Sequence, residues 1–129
     1  MAERISRALG GRGLTVTMKQ AGGFRPEELQ GFDLLILGSS TWSDGDLHED
    51  FDPLERGMRD LDLKGRKGAV FGSGNSRFRF FCEAVDILET RLKHCGAELV
   101  IPSLKTDVME KNSLERAEAW GEELAAALS

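Results

Sequence analysis

The sequence predicts an α/β fold, a mostly parallel sheet sandwiched by helices and read as one domain over residues 1–129. Three observations predict it. Two short continuous apolar runs, FDLLIL at 32–37 and KGAVFG at 67–72, have the composition of strands covered on both faces. Segments with helical spacing alternate with these runs. Each run also hands over to a small, polar, glycine-bearing stretch at its carboxyl end, where sheets of this kind bind ligands.

The elements follow in chain order. AERISRAL at 2–9 sets Ile5 and Leu9 one turn apart and predicts a short helix ended by Gly10-Gly11. LTVTM at 14–18 alternates apolar and polar residues, is rich in β-branched types, and predicts a strand. Gly22, Gly23 and Pro26 mark a loop, and Pro26–Leu29 fits a helical turn with proline first. The strand at 32–37 and the strand at 67–72 come next. CEAVDILETRLKHC at 82–95 places Val85, Leu88, Leu92 and Cys95 at helical spacing and stops at Gly96. ELVIPSL at 98–104 predicts a last strand segment interrupted by Pro102. A helix over 113–128 closes the chain, with Ser113 as N-cap and Leu114, Ala117, Trp120, Leu124 and Leu128 as its buried stripe.

Composition excludes several functions. The net charge of −5 disfavours nucleic acid, and no apolar stretch approaches the roughly 18–20 residues that span a bilayer. MAERISRALGGRG has no secretory apolar region, so the expected setting is the cytoplasm. Cys82 and Cys95 stand 13 residues apart without a CxxC pattern and read as reduced thiols. His48 and His94 are isolated from them, so no metal is expected and both read as surface residues.

Two stretches carry unusual residues: GSSTWSDGD after the strand at 32–37, and GSGNSRFRFFC after the strand at 67–72. Both hold glycines that let a backbone approach a ligand. The first presents Trp42, the second Phe78 and Phe80. Aromatic loops at one sheet edge can sandwich a flat ring, with stacking and desolvation contributing about 1 kcal/mol per contact. This reading explains a tryptophan in a loop with little to bury it: Trp42 is one wall of a slot for a planar heterocycle.

The run LLILGSSTWSDGDLHEDFDPL, at 34–54, together with GRKGAVFGSGNSRFRFFCEAVDILETRLKHCGAELV, at 65–100, resembles the short-chain flavodoxins. The motifs S-T-W before an acidic loop and F-G-x-G-N-S-x-F-x-F-F-C carry that resemblance, which spans nearly the whole chain. It implies a doubly wound sheet of strand order 2-1-3-4-5, noncovalently bound FMN, and one-electron transfer between redox proteins without substrate turnover. It also implies the site. Trp42 matches the inner-face aromatic of the flavin. Phe78 matches the outer one, usually a tyrosine, in a chain that has no tyrosine. Ser40, Thr41, Ser43 and Asp44 line the first loop; Ser73, Gly74, Asn75, Phe80, Phe81 and Cys82 belong to the second. Ser43 stands where the family often has the glycine of a peptide that flips on reduction, and serine costs about 1 kcal/mol there. Phe80 and Phe81 read chiefly as core, because they lead into the helix at 82.

Charge departs from the family pattern. Arg77 and Arg79 flank Phe78 and Asn75 replaces a carboxylate, while Asp44, Asp46, Glu49 and Asp50 keep the first loop acidic. An arginine roughly 6–8 Å from the ring attracts a negative flavin by on the order of 2 kcal/mol before screening. The resemblance thus implies a final reduction step less negative than in more acidic relatives, and basic redox partners docking near residues 44–50. A larger departure lies at the start. The family opens with a central strand and a phosphate-gripping T-x-T-G-N-T loop, and here Met1-Ala2-Glu3 already falls in the first helix. Three accounts stay open: the strand precedes Met1, another chain supplies it, or the sheet closes in a four-strand order with a weakened phosphate site. The alternative function is an FMN-deficient scaffold that serves as a protein-interaction module.

Overall fold

The computed structural model describes residues 1–18, 25–40, 56–74, 83–107 and 109–128. Its frame is a parallel sheet built on β2 (Lys67–Gly74). Strand β1 (Leu34–Ser40) runs parallel along one edge of β2, in register from Leu34↔Lys67 to Ser40↔Ser73. The other edge takes β3 (Glu98–Leu99) beside Lys67 and Gly68, then β4 (Leu104–Asp107) from Phe71↔Leu104 to Gly74↔Asp107. The interruption expected at Pro102 thus separates two short strands that share one neighbour. The second of them reaches three residues beyond the expected end.

Helices cover both faces, as the continuous apolar runs require. On one face α2 (Glu83–His94) packs Val85, Leu88 and Leu92 against Leu35, Leu37 and Val70. On the other, α1 (Ala2–Gly10) and α3 (Ser113–Leu128) bring Ile5, Leu9, Trp120 and Leu124 onto Ala69, Phe71 and Leu104. Alternate residues of β2 therefore serve opposite layers. Trp120 is a core residue, as its place in the helical stripe predicts. Its ring meets Phe71 at a centroid distance of 6.0 Å, and its Nε1–H donates to the Pro102 carbonyl at 3.0 Å.

Left-handed glycines close α2 and the turn that follows α1. Gly96, at φ 94°, closes α2 while Ala97 N–H donates to Leu92 O and Gly96 N–H to Lys93 O. Helix α1 ends at Gly10 with Gly11 as its cap, at the expected stop, and the left-handed turn comes two residues later. Gly11 keeps right-handed backbone, and Gly13, at φ 88°, takes the turn as Leu14 N–H bonds back to Leu9 O. Helix α3 spans its expected range, but the Asn112 carbonyl receives the first helical hydrogen bond, so the cap is Asn112 and Ser113 is already helical. Leu114, expected in the stripe, is 42% exposed.

Three expectations are corrected by pairing. Residues 14–18 form no strand, and Leu14, Val16 and Met18 are exposed by 38, 37 and 53%. Alternation alone makes no strand. Among the described residues the outer edge of β1 has no neighbour, and 14–18 has no ladder to join. The strand expected at 32–37 begins at Leu34, because Phe32 still closes the 3-10 turn Pro26–Gly31 through Leu29 O. That strand then runs on through Ser40, and the one expected to stop at 72 runs through Gly74. Cys95 is a buried thiol whose Sγ donates to Met58 O at 2.9 Å; Cys82 lies outside the described residues.

Candidate functional site

The parallel register makes β1, β2 and β4 end together. Ser40 stands beside Ser73, Ser73 beside Thr106, and Gly74 beside Asp107. The carboxyl ends of β1 and β2 thus lie side by side, at the edge where open parallel sheets bind their ligands. Close approach at that end depends on Gly72. A methyl group there would stand 2.5 Å from Val85 Cγ2 and run into the Ser39 carbonyl oxygen. Thr106 is 1% exposed, and its hydroxyl donates to Gly72 O at 3.2 Å, which satisfies the one buried polar side chain among the described residues of this edge. Met1 Sδ lies 3.3 Å from the same hydroxyl, so the amino end of α1 also arrives here.

A hydrogen-bonded turn closes β4. Asp107 N–H donates to Glu110 Oε1 at 2.8 Å, Glu110 N–H returns to Asp107 O at 2.9 Å, and Met109 N–H donates to Asp107 Oδ1 at 3.0 Å. Arg116 Nη1 lies 2.6 Å from both Glu110 carboxylate oxygens, and its Nη2 donates to Lys105 O at 3.2 Å. The Arg116 guanidinium holds the Glu110 carboxyl below its ordinary range, helped by the Asp107 N–H and opposed by burial and the Asp107 charge.

Of the residues expected to touch the ligand, Ser40, Ser73 and Gly74 fall within the described chain and meet at this edge. Thr41, Trp42, Ser43, Asp44, Asn75, Phe78, Phe80, Phe81 and Cys82 lie outside the described residues, as do Arg77, Arg79 and the acidic run at 44–50. Sequence reasoning missed Thr106, Asp107, Glu110 and Arg116. The signal was Leu104 and Thr106 at strand spacing, with a β-branched residue in the inward position.

The Flavodoxin family model matches residues 1–120. The chain belongs to the flavodoxin family. It is 36% identical over 129 residues to the flavodoxin of Maridesulfovibrio salexigens, covering 96% of this chain and 86% of that one. It is 34% identical to the flavodoxin of Nitratidesulfovibrio vulgaris, covering 99% and 88%. The match to probable flavodoxin 2 of Bacillus subtilis is 45% identical but spans only half of that protein. Oxidised flavodoxin 2 from Bacillus cereus superposes with a TM-score of 0.90 at 36% identity, over 97% of this chain and 87% of that chain. Flavodoxins are FMN-binding electron-transfer proteins, electron carriers rather than enzymes, and this is the function of the chain. Its flavodoxin fold is the parallel sheet between helices that the sequence predicts. Among the described residues no helix is long and apolar enough to cross a membrane.

Proposed function

We propose that the flavin ring of FMN sits at the carboxyl edge of β1 and β2, between Trp42 and Phe78. Ser40, Thr41, Ser43 and Asp44 line one side, and Ser73, Gly74, Asn75, Phe80, Phe81 and Cys82 the other. The observation that carries this reading is the register Ser40↔Ser73, which starts both aromatic-bearing segments from adjacent points. The described part of the edge fits a flat, polar-rimmed group. Small uncharged residues end both strands, and Gly72 keeps the two backbones close. Bound FMN supplies one-electron transfer; the chain's own residues stack the ring, exclude water from it and set the charge around it.

Three finer readings go with this site. Arg77 and Arg79 make the final reduction step less negative than in relatives with carboxylates there. The acidic run at 44–50 docks basic redox partners in the cytoplasm. The family's first strand and phosphate loop have no counterpart within residues 1–129. That last reading is supported by α1 opening at Ala2 and by the outer edge of β1, which has no described neighbour.

Fluorescence titration tests the site. Flavin emission is expected to be quenched on binding, and Trp42→Ala to weaken that binding by about 1 kcal/mol or more. Unquenched FMN in the presence of the protein would favour the interaction-module alternative. For the charge reading, an Arg79→Glu variant with an unchanged final potential removes the argument.

A further inference from the structure

We propose that the Glu110–Arg116 pair is a positioning element of the flavin site, fixing the end of β4 against the point where the segment at 75–82 leaves β2. The inference rests on the reading that the ring lies at this edge. It starts from the last rungs of the sheet, Ser73↔Thr106 and Gly74↔Asp107. A ladder that ends at Asp107 leaves its terminal backbone groups to be satisfied by something beyond the strand. Here the Glu110 carboxylate accepts the Asp107 N–H, and the Glu110 N–H returns to the Asp107 carbonyl. Arg116, in the first turn of α3, holds that carboxylate by both oxygens and reaches back to the Lys105 carbonyl. Strand end, turn and helix are thereby tied through one guanidinium.

The arrangement differs from the other ion pairs that anchor α3. Arg4–Glu118 joins α1 to α3, Arg12–Glu122 joins the turn after α1 to α3, and neither bonds to a strand. The Glu110 side chain is 23% exposed, and both partners of the pair bond to β4 backbone. Charge-assisted hydrogen bonds to strand backbone set geometry, whereas exposed ion pairs contribute little. Neither Glu110 nor Arg116 precedes or follows an expected ring contact in the chain, so their influence runs through Asp107 and Gly74.

The test measures FMN affinity and the visible circular dichroism of bound FMN for wild type, Glu110→Gln, Arg116→Lys, Glu122→Gln and Trp42→Ala. Glu122→Gln breaks an ion pair at the opposite end of α1 from Met1 and serves as the stability control. Glu110→Gln is expected to raise the FMN dissociation constant about 3–10-fold, the equilibrium value of roughly one hydrogen bond, and to alter the dichroism of the ring. Glu122→Gln is expected to change neither. Arg116→Lys keeps the charge but not the double contact, and falls between wild type and Glu110→Gln. Wild-type affinity and dichroism in Glu110→Gln overturn the proposal, as does an equal loss in Glu122→Gln, which marks a general stability effect. The Trp42→Ala arm separates the two levels. Wild-type affinity there removes the ring from this edge, and the positioning role falls with it; weakened binding there with an unaffected Glu110→Gln sinks the positioning role alone.

Discussion

Gly38 faces Phe71 across the β1–β2 ladder, and the two are register partners. A methyl group on Gly38 would run into the far end of the Phe71 ring, well inside the roughly 3.5–4.0 Å at which carbon atoms rest. The ring is 9% exposed and leans on Trp120, so it has no empty space to enter. Gly38→Ala therefore forces the ring aside. Overpacking of this kind costs about 1–3 kcal/mol, and a displaced aromatic pair about 0.5–1.5 kcal/mol more. The alanine returns about 0.4–1 kcal/mol by restricting the unfolded chain. The expected net loss is about 2–3 kcal/mol, read as a lower urea midpoint at unchanged slope, or as roughly 3–5 °C of melting temperature per kcal/mol. The decisive measurement is the double-mutant cycle with Phe71→Leu, which removes the ring atoms that the methyl meets. In that background Gly38→Ala should cost under about 1 kcal/mol, a coupling of more than about 1 kcal/mol. Equal costs in the two backgrounds would refute the reasoning, because the collision would then not be with Phe71.

Trp120→Phe keeps a ring against Phe71 but removes the donor to Pro102 O; it should cost about 1–2 kcal/mol in chemical denaturation. In that variant Trp42 is the remaining tryptophan, so its emission should be quenched when FMN is added, and persistent emission would place Trp42 away from the ring. Glu110 has its carboxyl held below the ordinary value of 4.5 by Arg116, with Asp107 as the other charged group beside it. A lowered carboxyl contributes stability above its unfolded value and loses it as pH falls through the folded one. Wild type should therefore exceed Glu110→Gln in stability at neutral pH and converge with it below 4.5; a gap that stays constant across that range would contradict the pairing.

The helices were legible because side-chain spacing alone specifies their buried faces. Val85, Leu88, Leu92 and Cys95 are all buried, as their spacing predicts, and Gly96 stops the helix through its left-handed backbone. Strand centres were legible for the same reason, since Leu35, Leu37 and Val70 are apolar positions inside the core. Strand ends were not. Hydrophobic pattern reports burial, while a ladder is set by backbone hydrogen bonds that any residue can make, so Ser39, Ser40, Ser73 and Gly74 continue strands past the apolar runs. The segment at 14–18 shows the converse: its pattern suits a strand, but a strand also needs a neighbour, and no single segment reports that. In the site, the adjacency of the ends of β1 and β2 was legible from the order of elements, whereas the hydrogen bonds between Asp107 and Glu110 were hidden by the interruption at Pro102.

The glycines at the strand ends have a different cause from the one their sequence context suggests. In GSSTWSDGD and GSGNSRFRFFC, Gly38 and Gly72 read as residues that let a ligand come close. In the structure both lie inside strands: Gly38 is filled over by Phe71, and Gly72 by Val85 and the Ser39 carbonyl. They face opposite layers, one toward α1 and α3 and the other toward α2, and each lets a bulky core residue reach across the sheet. Core packing thus holds β1 and β2 close together one and two residues short of their last shared rung, Ser40↔Ser73. The spacing of the two strand ends is set from beneath, by Phe71 and Val85, before any cofactor is present. Affinity for a flat ring should accordingly be sensitive to core substitutions at Phe71 and Val85 that never touch it.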